Sequence, residues 1–388
     1  MRDLKAKIQS LNSTEKLILM SIFLLFINIF VQGIFIIGIL IYAFRKKEWI
    51  QDIKNTPGYK ILYPFFLLEL FVSCFYKNLY GIGISIGLIL VFMYIAFVRN
   101  HLNYKLFQII IEIMILMSFF INLIGLFQFY RISILNGYSF FDFHIFNSPK
   151  RRISSTFLNA NYYAMILEFL IVCCMVRFVQ CKKGLEKIKY VGIGVFDLVL
   201  MYLTGCRAAF LPFVVMVPAF LFLSKEKKWG WASIVSIVAL SGVLFLKPDL
   251  IPRLSDISTV GSRFKIWTCA FQSIKDHTLF GMGPFSYSIA NKIYNGHPAP
   301  HCHNIYIDML CSYGIVGTIC IITACVSILK DIVKIRKWNE HPEYFAMIVA
   351  FILIVLIHGI MDCSLLNICT GVFILLILNC SVCKINKV

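Results

Sequence analysis

The chain is poor in charge. Only 14% of its 388 residues are Asp, Glu, Lys or Arg, whereas 60% are hydrophobic and the mean hydropathy is +0.82. A soluble protein of this length could not hide so much apolar surface, but a bilayer solvates it. Acid is scarcer still: 19 Asp and Glu stand against 37 Lys and Arg, a formal net charge of +18. That excess does not describe a nucleic-acid binder. Most Lys and Arg stand in short clusters beside apolar runs, the pattern that orients membrane spans. The sequence also lacks a cleavable signal peptide, the cysteine spacings of metal sites, a glycine-rich nucleotide cradle and any internal repeat. The first apolar run is therefore expected to stay as an anchor. Of the 14 cysteines, Cys173, Cys174, Cys311, Cys320, Cys325, Cys369 and Cys380 fall in apolar runs, where thiols pack as small residues. Cys269 and Cys302 share one polar stretch, and a bridge between them is an option.

What is there is a series of apolar helices: Tyr59–Tyr76, Leu79–Val98, Leu106–Phe127, Tyr162–Val179, Ile188–Leu203, Ala208–Leu223, Trp231–Leu246, Ile305–Leu329, Tyr344–Ile360 and Ser364–Val382. Each approaches the ~20 residues that cross hydrocarbon. If the spans alternate, the basic clusters all fall on one side, which is then cytoplasmic. They are Arg45 to Lys54, Arg99 with Lys105, Lys182 to Lys189, Lys225 to Lys228, Lys330 to Lys337, and Lys384 with Lys387. The run Leu17–Phe44 has basic flanks at both ends, so a hairpin broken near Asn28, Gln32 and Gly33 is favoured over one crossing. The expected fold is an all-α integral membrane protein of about twelve transmembrane helices, or about eleven with an external N-terminus. It is one polytopic domain over 1–388, with a large extracytoplasmic loop at 247–304.

The opposite side receives Gln128–Asn161, Thr204–Arg207 and Lys247–Asn304. A long connection rich in Arg, His, Gly and aromatic residues, in a chain of short connections, is where function is to be sought. Lys150-Arg151-Arg152 leads into Asn159-Ala160-Asn161; Thr204-Gly205-Cys206-Arg207 forms a tight turn; and the long stretch holds Arg263 and ends in His301-Cys302-His303-Asn304. Guanidinium is always charged and matches phosphate bidentately, so Arg152, Arg207 and Arg263 could converge on a polyanion such as a lipid-linked diphosphate. The plainer reading of Arg207 is snorkelling to headgroups. Arg253 and Lys265 read as solvated charges, and His297 is a weaker candidate. His301 and His303 have zinc-like spacing, but no neighbouring carboxylate and His complete a set in the sequence, so no metal or other cofactor is expected. Glu69, Glu112, Glu168, Asp197, Asp308 and Asp362 are candidate intramembrane acids, too scattered for a proton path. His358 and Asp362 stand at i and i+4, spaced for a supporting hydrogen-bonded pair.

In order, these pieces resemble the O-antigen ligase and polymerase superfamily. The likeness runs from Arg152-Ile153-Ser154-Ser155-Thr156-Phe157, Asn159 and Asn161 through Thr204-Gly205-Cys206-Arg207-Ala208-Ala209. It continues with Arg263 and Trp267, Gly281-Met282-Gly283, His303-Asn304-Ile305-Tyr306, and Gly314-Ile315-Val316-Gly317. Cys206 stands where the family usually has Ser, and Cys311-Ser312-Tyr313 lacks the carboxylate many members carry before the glycine. The resemblance implies a multi-pass protein of a bacterial cytoplasmic membrane with its active site facing outward. It implies transfer of glycan from an undecaprenyl-diphosphate-linked donor to a glycan acceptor, without nucleotide sugar or obligate metal. His303 would be the catalytic base. Arg152, Arg207, Arg263, Asn161, His301 and Asn304 would bind substrate, with Asn304 orienting the imidazole or a sugar hydroxyl. The partners are these lipid-linked glycans and membrane lipids, not nucleic acid; the resemblance also allows polysaccharide-assembly proteins. A polymerase is favoured over a ligase acting on lipid core or protein, and a transporter or flippase of the same lipid-linked sugars is the reading from another class.

Overall fold

The computed structural model describes residues 2–139, 142, 144–146, 148–251, 253, 258–336 and 341–379. The basic positions Lys337, Lys384 and Lys387, Cys380 and the end of the last expected span lie outside them. The described residues form α-helices and no strand. In order these are α1 (Arg2–Gln9), α2 (Ser13–Leu25), α3 (Ile29–Lys46), α4 (Trp49–Lys54), α5 (Tyr59–Phe75), α6 (Leu79–His101), α7 (Tyr104–Leu135) and α8 (Ala160–Gln180). There follow α9 (Gly184–Leu203), α10 (Phe210–Leu223), α11 (Lys227–Leu246), α12 (Ser258–Asp276), α13 (Tyr287–Ile293), α14 (Ile305–Arg336), α15 (Pro342–His358) and α16 (Ile368–Leu378). Among the described residues, six helices are long and apolar enough to cross a bilayer: α3, α6, α7, α8, α11 and the Ile305–Lys330 part of α14. The larger expected figure of about twelve counts shorter helices such as α2 and α5 as crossings.

The first apolar run is broken where its polar residues stand. Asn28 caps α3 by accepting from the Phe30 and Val31 amides, and α2 folds back so that Thr14 meets Tyr42 at 3.3 Å between hydroxyls. Lys16 and Arg45 to Lys47 therefore share one end of the bundle, as a hairpin requires.

α8 is the central post. Its residues from Tyr163 to Cys174 are all buried, because an apolar residue on every face of a helix needs neighbours all round. Phe169 stacks on Phe351 of α15 (centroids 4.5 Å, planes 5° apart) and on Phe373 of α16 at 5.6 Å. At the far end of α8, Arg177 reaches Glu112 at 3.0 Å, the Gln108 carbonyl at 2.6 Å and Gln180 at 2.8 Å, and Gln180 donates to Glu343 at 3.0 Å. These bonds tie α7, α8 and α15 together about 24 Å from Asn161, at 1.5 Å per helical residue. α11 is the opposite case: it is apolar, yet only Gly230 is buried. Among the other acids, Asp197 accepts from Ser118 and Asn122, while both Glu69 oxygens are buried with no hydrogen-bond partner among the described residues.

The stretch 247–304, expected as a loop, is largely a helical layer. α12 and α13 build their own small core from Ile266, Cys269, Ala270, Met282, Tyr287 and Cys302. Backbone contact docks this layer on α14. Ile315 and Val316 donate to the Thr278 and Leu279 carbonyls (2.9 and 3.0 Å), and the Gly283 amide donates to Ser312 at 2.9 Å. The contact breaks α14 at Gly314, whose φ of 60° and ψ of −167° belong to a region that glycine alone adopts readily. A Cβ there would come within 2.5 Å of the Leu279 carbonyl carbon. The two glycine motifs of the sequence are thus the two halves of one seam.

Gly314→Val should lower the melting temperature of the detergent-purified protein, since it combines about 1–3 kcal/mol of backbone strain with a clash. Gly33→Ala, at a position with nothing within 4 Å of the added Cβ, should leave it unchanged. Equal melting temperatures for the two variants would show that the seam does not hold the layer.

Candidate active site

The first arginine is aimed by the turn that carries it. Gln128 near the end of α7 accepts from the Ser154 and Ser155 amides (3.1 and 2.8 Å) and donates to the Ser155 carbonyl at 2.8 Å. The turn so held directs Arg152 inward. Its Nε donates to the Thr204 carbonyl at 2.6 Å and its Nη2 to Asn161 Oδ1 at 2.9 Å. Burial, helped by the nearby charge of Arg253, draws the Arg152 guanidinium below its ordinary value.

The second arginine follows a turn that only a small residue fits. Gly205 has φ +63°, and a Cβ on it would meet Ile145 at 2.6 Å and Arg253 at 3.2 Å. Arg207 Nη1 donates to the Arg253 carbonyl at 3.1 Å, and Arg253 reaches the Gly205 carbonyl at 3.5 Å. Arg253 is therefore no isolated solvated charge. Arg152, Arg207 and Arg253 surround one turn, and mutually repelling guanidiniums gain from an anion among them. Arg263, on α12, reaches Met361 Sδ at 3.6 Å, on the residue that precedes Asp362.

The histidine segment is strapped down on both sides. Trp267 of α12 donates from its indole to the Cys302 carbonyl at 3.0 Å, and the Cys302 amide donates to Asp308 at 2.8 Å. Asn304 caps α14: its Oδ1 accepts from the Tyr306 and Ile307 amides, both at 3.0 Å, and its Nδ2 donates to the Ile360 carbonyl at 2.9 Å. Its amide is thus committed to the backbone rather than to the imidazole. His303 sits in the left-handed region (φ 51°), which costs a non-glycine residue about 1–2 kcal/mol, and that turn presents its ring to Asp362.

Nδ1 of His303 lies 2.8 Å from Asp362 Oδ1. Asp362 Oδ2 accepts from Asn161 at 3.0 Å and from Ser364 at 2.6 Å. The carboxyl is 2% exposed, whereas the His303 side chain is 30% exposed. Burial acts to raise Asp362, but the hydrogen bond from His303 and the charges of His301, His303 and His358 outweigh it and hold the carboxyl well below the usual range. An ionised Asp362 fixes the proton of a neutral His303 on Nδ1 and leaves Nε2, on the open side, as an acceptor.

This corrects the pairing expected from the sequence. The His358 ring does not bond the Asp362 carboxyl; its Nδ1 lies 3.0 Å from Glu168, and Ser364 stands between the two side chains. The one-turn spacing fails because α15 ends at His358. Asp362, far from His303 in sequence, was legible only as an acid at the end of an apolar run. It also supplies the carboxylate that the two histidines lack in sequence: donor atoms of His301, His303 and Asp362 lie within 4.8 Å of one another. Those of His303 and Asp362 are turned on each other, and His301 Nδ1 accepts from the His303 amide at 3.2 Å. These three donors form a group that could hold a metal ion, and within it His303 and Asp362 make a hydrogen-bonded dyad with the His301 ring beside them. His301 is 5% exposed, and burial lowers its pKa. His297 is exposed, its ring lying 3.1 Å from its neighbour's carbonyl, and Cys269 and Cys302 are free thiols.

Arg152, Asn161, Arg207, Arg263, His301 and His303 thus meet at one end of the bundle, with Asp362 and Arg253 added to them and Asn304 behind. The basic connections at 99–105, 181–189 and 224–228 lie at the other end, since α6, α8 and α10 each run between the two. Comparison with curated proteins finds no match. Residues 192–322 match the family model described as O-Antigen ligase. The matched stretch contains Arg207, Arg253, Arg263 and His303, while Arg152, Asn161 and Asp362 complete the cluster from outside it. The chain is a multi-pass membrane protein, and this match supports its place in the O-antigen ligase-like superfamily, whose members are membrane enzymes of the ligase and polymerase type.

Proposed function

We propose that the protein is a metal-independent glycosyltransferase that polymerises glycan repeat units carried on undecaprenyl diphosphate, working at the outer face of a bacterial cytoplasmic membrane. The observation that carries this reading is the His303–Asp362 dyad beside the guanidiniums of Arg152, Arg207, Arg253 and Arg263. Asp362 holds the Nδ1 proton, so Nε2 takes the proton of the acceptor hydroxyl. The acceptor oxygen bonds the anomeric carbon as the bond from that carbon to the diphosphate oxygen breaks, and the diphosphate departs with the electron pair. Developing charge on that leaving group is the main catalytic need, and preorganised cations supply it in a site shielded from water. The groups of the candidate site gather at one end of the bundle. That favours chemistry at one surface over a path for lipid-linked sugar from both sides. A ligase would use the same donor, cations and base, and differs only in its acceptor.

His303→Ala should reach the membrane at normal levels and lose about 10²- to 10⁴-fold in transfer rate, the usual worth of a general base. Asp362→Asn should lose activity on the same order, because an amide no longer fixes the tautomer. His301→Ala should be milder. Purified lipid-linked glycan as both donor and acceptor reads these out directly: chain growth favours the polymerase, and transfer only to lipid core or protein favours the ligase. Turnover should persist in EDTA; loss on chelation that zinc or magnesium restores would move the histidines to a metal site.

Arg207→Ala and Arg263→Ala should each severely reduce transfer without changing protein level, and Lys should rescue only in part, since a point charge lacks the planar fork. Full activity in both Ala variants would sink the diphosphate clamp. For orientation, thiol labelling of intact cells, in a background without native cysteines, should reach a cysteine placed at Pro298 and miss one at Lys334. The reverse pattern would put the site on the cytoplasmic face.

A further inference from the structure

The bonds around Asp362 continue inward. Ser364 Oγ, 2.6 Å from Asp362 Oδ2, is also 3.4 Å from His358 Nε2, and His358 Nδ1 is 3.0 Å from Glu168 Oε2. Ser364, His358 and Glu168 are all 0% exposed, and Glu168 Oε1 has no hydrogen-bond partner among the described residues. An ionised Asp362 only accepts, so the single Ser364 proton is committed to it. The Ser364 oxygen can then only accept from His358, which must carry a proton on Nε2. On its other side His358 shares one proton with Glu168. Either the acid donates to a bare Nδ1, or a protonated ring donates to the carboxylate; a fully ionised Glu168 facing a neutral His358 would be a buried, uncompensated charge. Both allowed states keep the Nε2 proton on Ser364.

We propose that Glu168 and His358 are positioning residues for His303, setting the direction of a hydrogen-bond chain that runs Glu168, His358, Ser364, Asp362, His303. The proposal rests on the reading of His303 as the base. Its physical content is the number of donors on Asp362. With Ser364 donating, the carboxylate charge is spread over three hydrogen bonds and holds the His303 imidazolium moderately. If His358 loses its fixed tautomer, a bare Nε2 competes with Asp362 for the Ser364 proton, and the carboxylate loses part of its third donor. A carboxylate with fewer donors binds the imidazolium more tightly, so less His303 is in the base form at a given pH. The other groups facing the chain are His301, Asp308 on α14, Cys206 and Arg152 beside the arginine turn, Tyr162 on α8, Cys363, and Arg263 through Met361. They are common to every variant below, so they set where the profile lies rather than how it differs between variants.

The test is the rate of transfer against pH for the full-length protein in lipid nanodiscs with purified lipid-linked glycan. Ser364→Ala and Glu168→Met should each move the acid limb to higher pH by about half to one unit, the equivalent of one lost hydrogen bond. Glu168→Gln, whose amide can donate to His358 Nδ1, should restore the wild-type limb. The double variant Glu168→Met with Ser364→Ala should shift no further than either alone. A rate lowered equally at every pH in Glu168→Met, or shifts that add in the double variant, would overturn the proposal. Should Glu168→Met fail to insert, Ser364→Ala decides alone: an unshifted limb overturns it. Near-wild-type turnover in His303→Ala removes the base itself, whereas an inactive His303→Ala beside an unshifted Ser364→Ala removes only the chain.

Discussion

The Asp362 carboxylate is the group on which the rest of the site depends. It is nearly sealed from solvent, yet His303, Asn161 and Ser364 all donate to it. Each donor comes from a different part of the chain. His303 precedes α14, Asn161 opens α8, and Ser364 follows α15. A buried carboxylate without such donors would be costly, and with them it becomes the anchor that draws three helix ends together. Asn161 also carries the connection outward, since the same amide that donates to Asp362 accepts from Arg152. The histidine and the first arginine are therefore three hydrogen bonds apart, through Asp362 and Asn161.

Much of this was legible in the sequence. Apolar runs marked the helices, and the polar residue Asn28 marked the hairpin break, because a side chain that can cap backbone amides ends one helix and starts the next. The three arginine motifs and the histidine pair were visible as groups whose charge had no place in lipid. Less visible was how the polar stretch before α14 would fold. Its buried residues Ile266, Cys269, Ala270 and Tyr287 make a core with Cys302 and Met282 from distant turns, a pairing that no local pattern announces. Asp362 escaped because nothing local points to its partner. The one-turn spacing to His358 pointed the wrong way, since the helix ends between the two. Arg253 escaped for a similar reason: its role follows from lying against Gly205, which only the folded turn displays.

The far end of the bundle offers a contrast. There Arg177 is paired with Glu112 and donates to Gln180 and the Gln108 carbonyl, so a guanidinium set among apolar helices has a carboxylate beside it. At the site end Arg152, Arg207 and Arg253 lean on backbone carbonyls and on one asparagine. One end of the protein thus uses arginine to fasten helices, and the other gathers three guanidiniums around one turn.

The spread of the cluster along the chain bears on how the protein is made. His303 leaves the ribosome well before Asp362 and Ser364, and α14 and α15 must both be laid into the membrane before the dyad can close. Until then the imidazole has no partner to fix its tautomer, and Arg152 and Asn161, already in place, have no carboxylate to join. A nascent chain halted between α14 and α15 would hold every arginine of the cluster and still lack the dyad. The cluster therefore closes late and all at once, when the last of its helices has found its place.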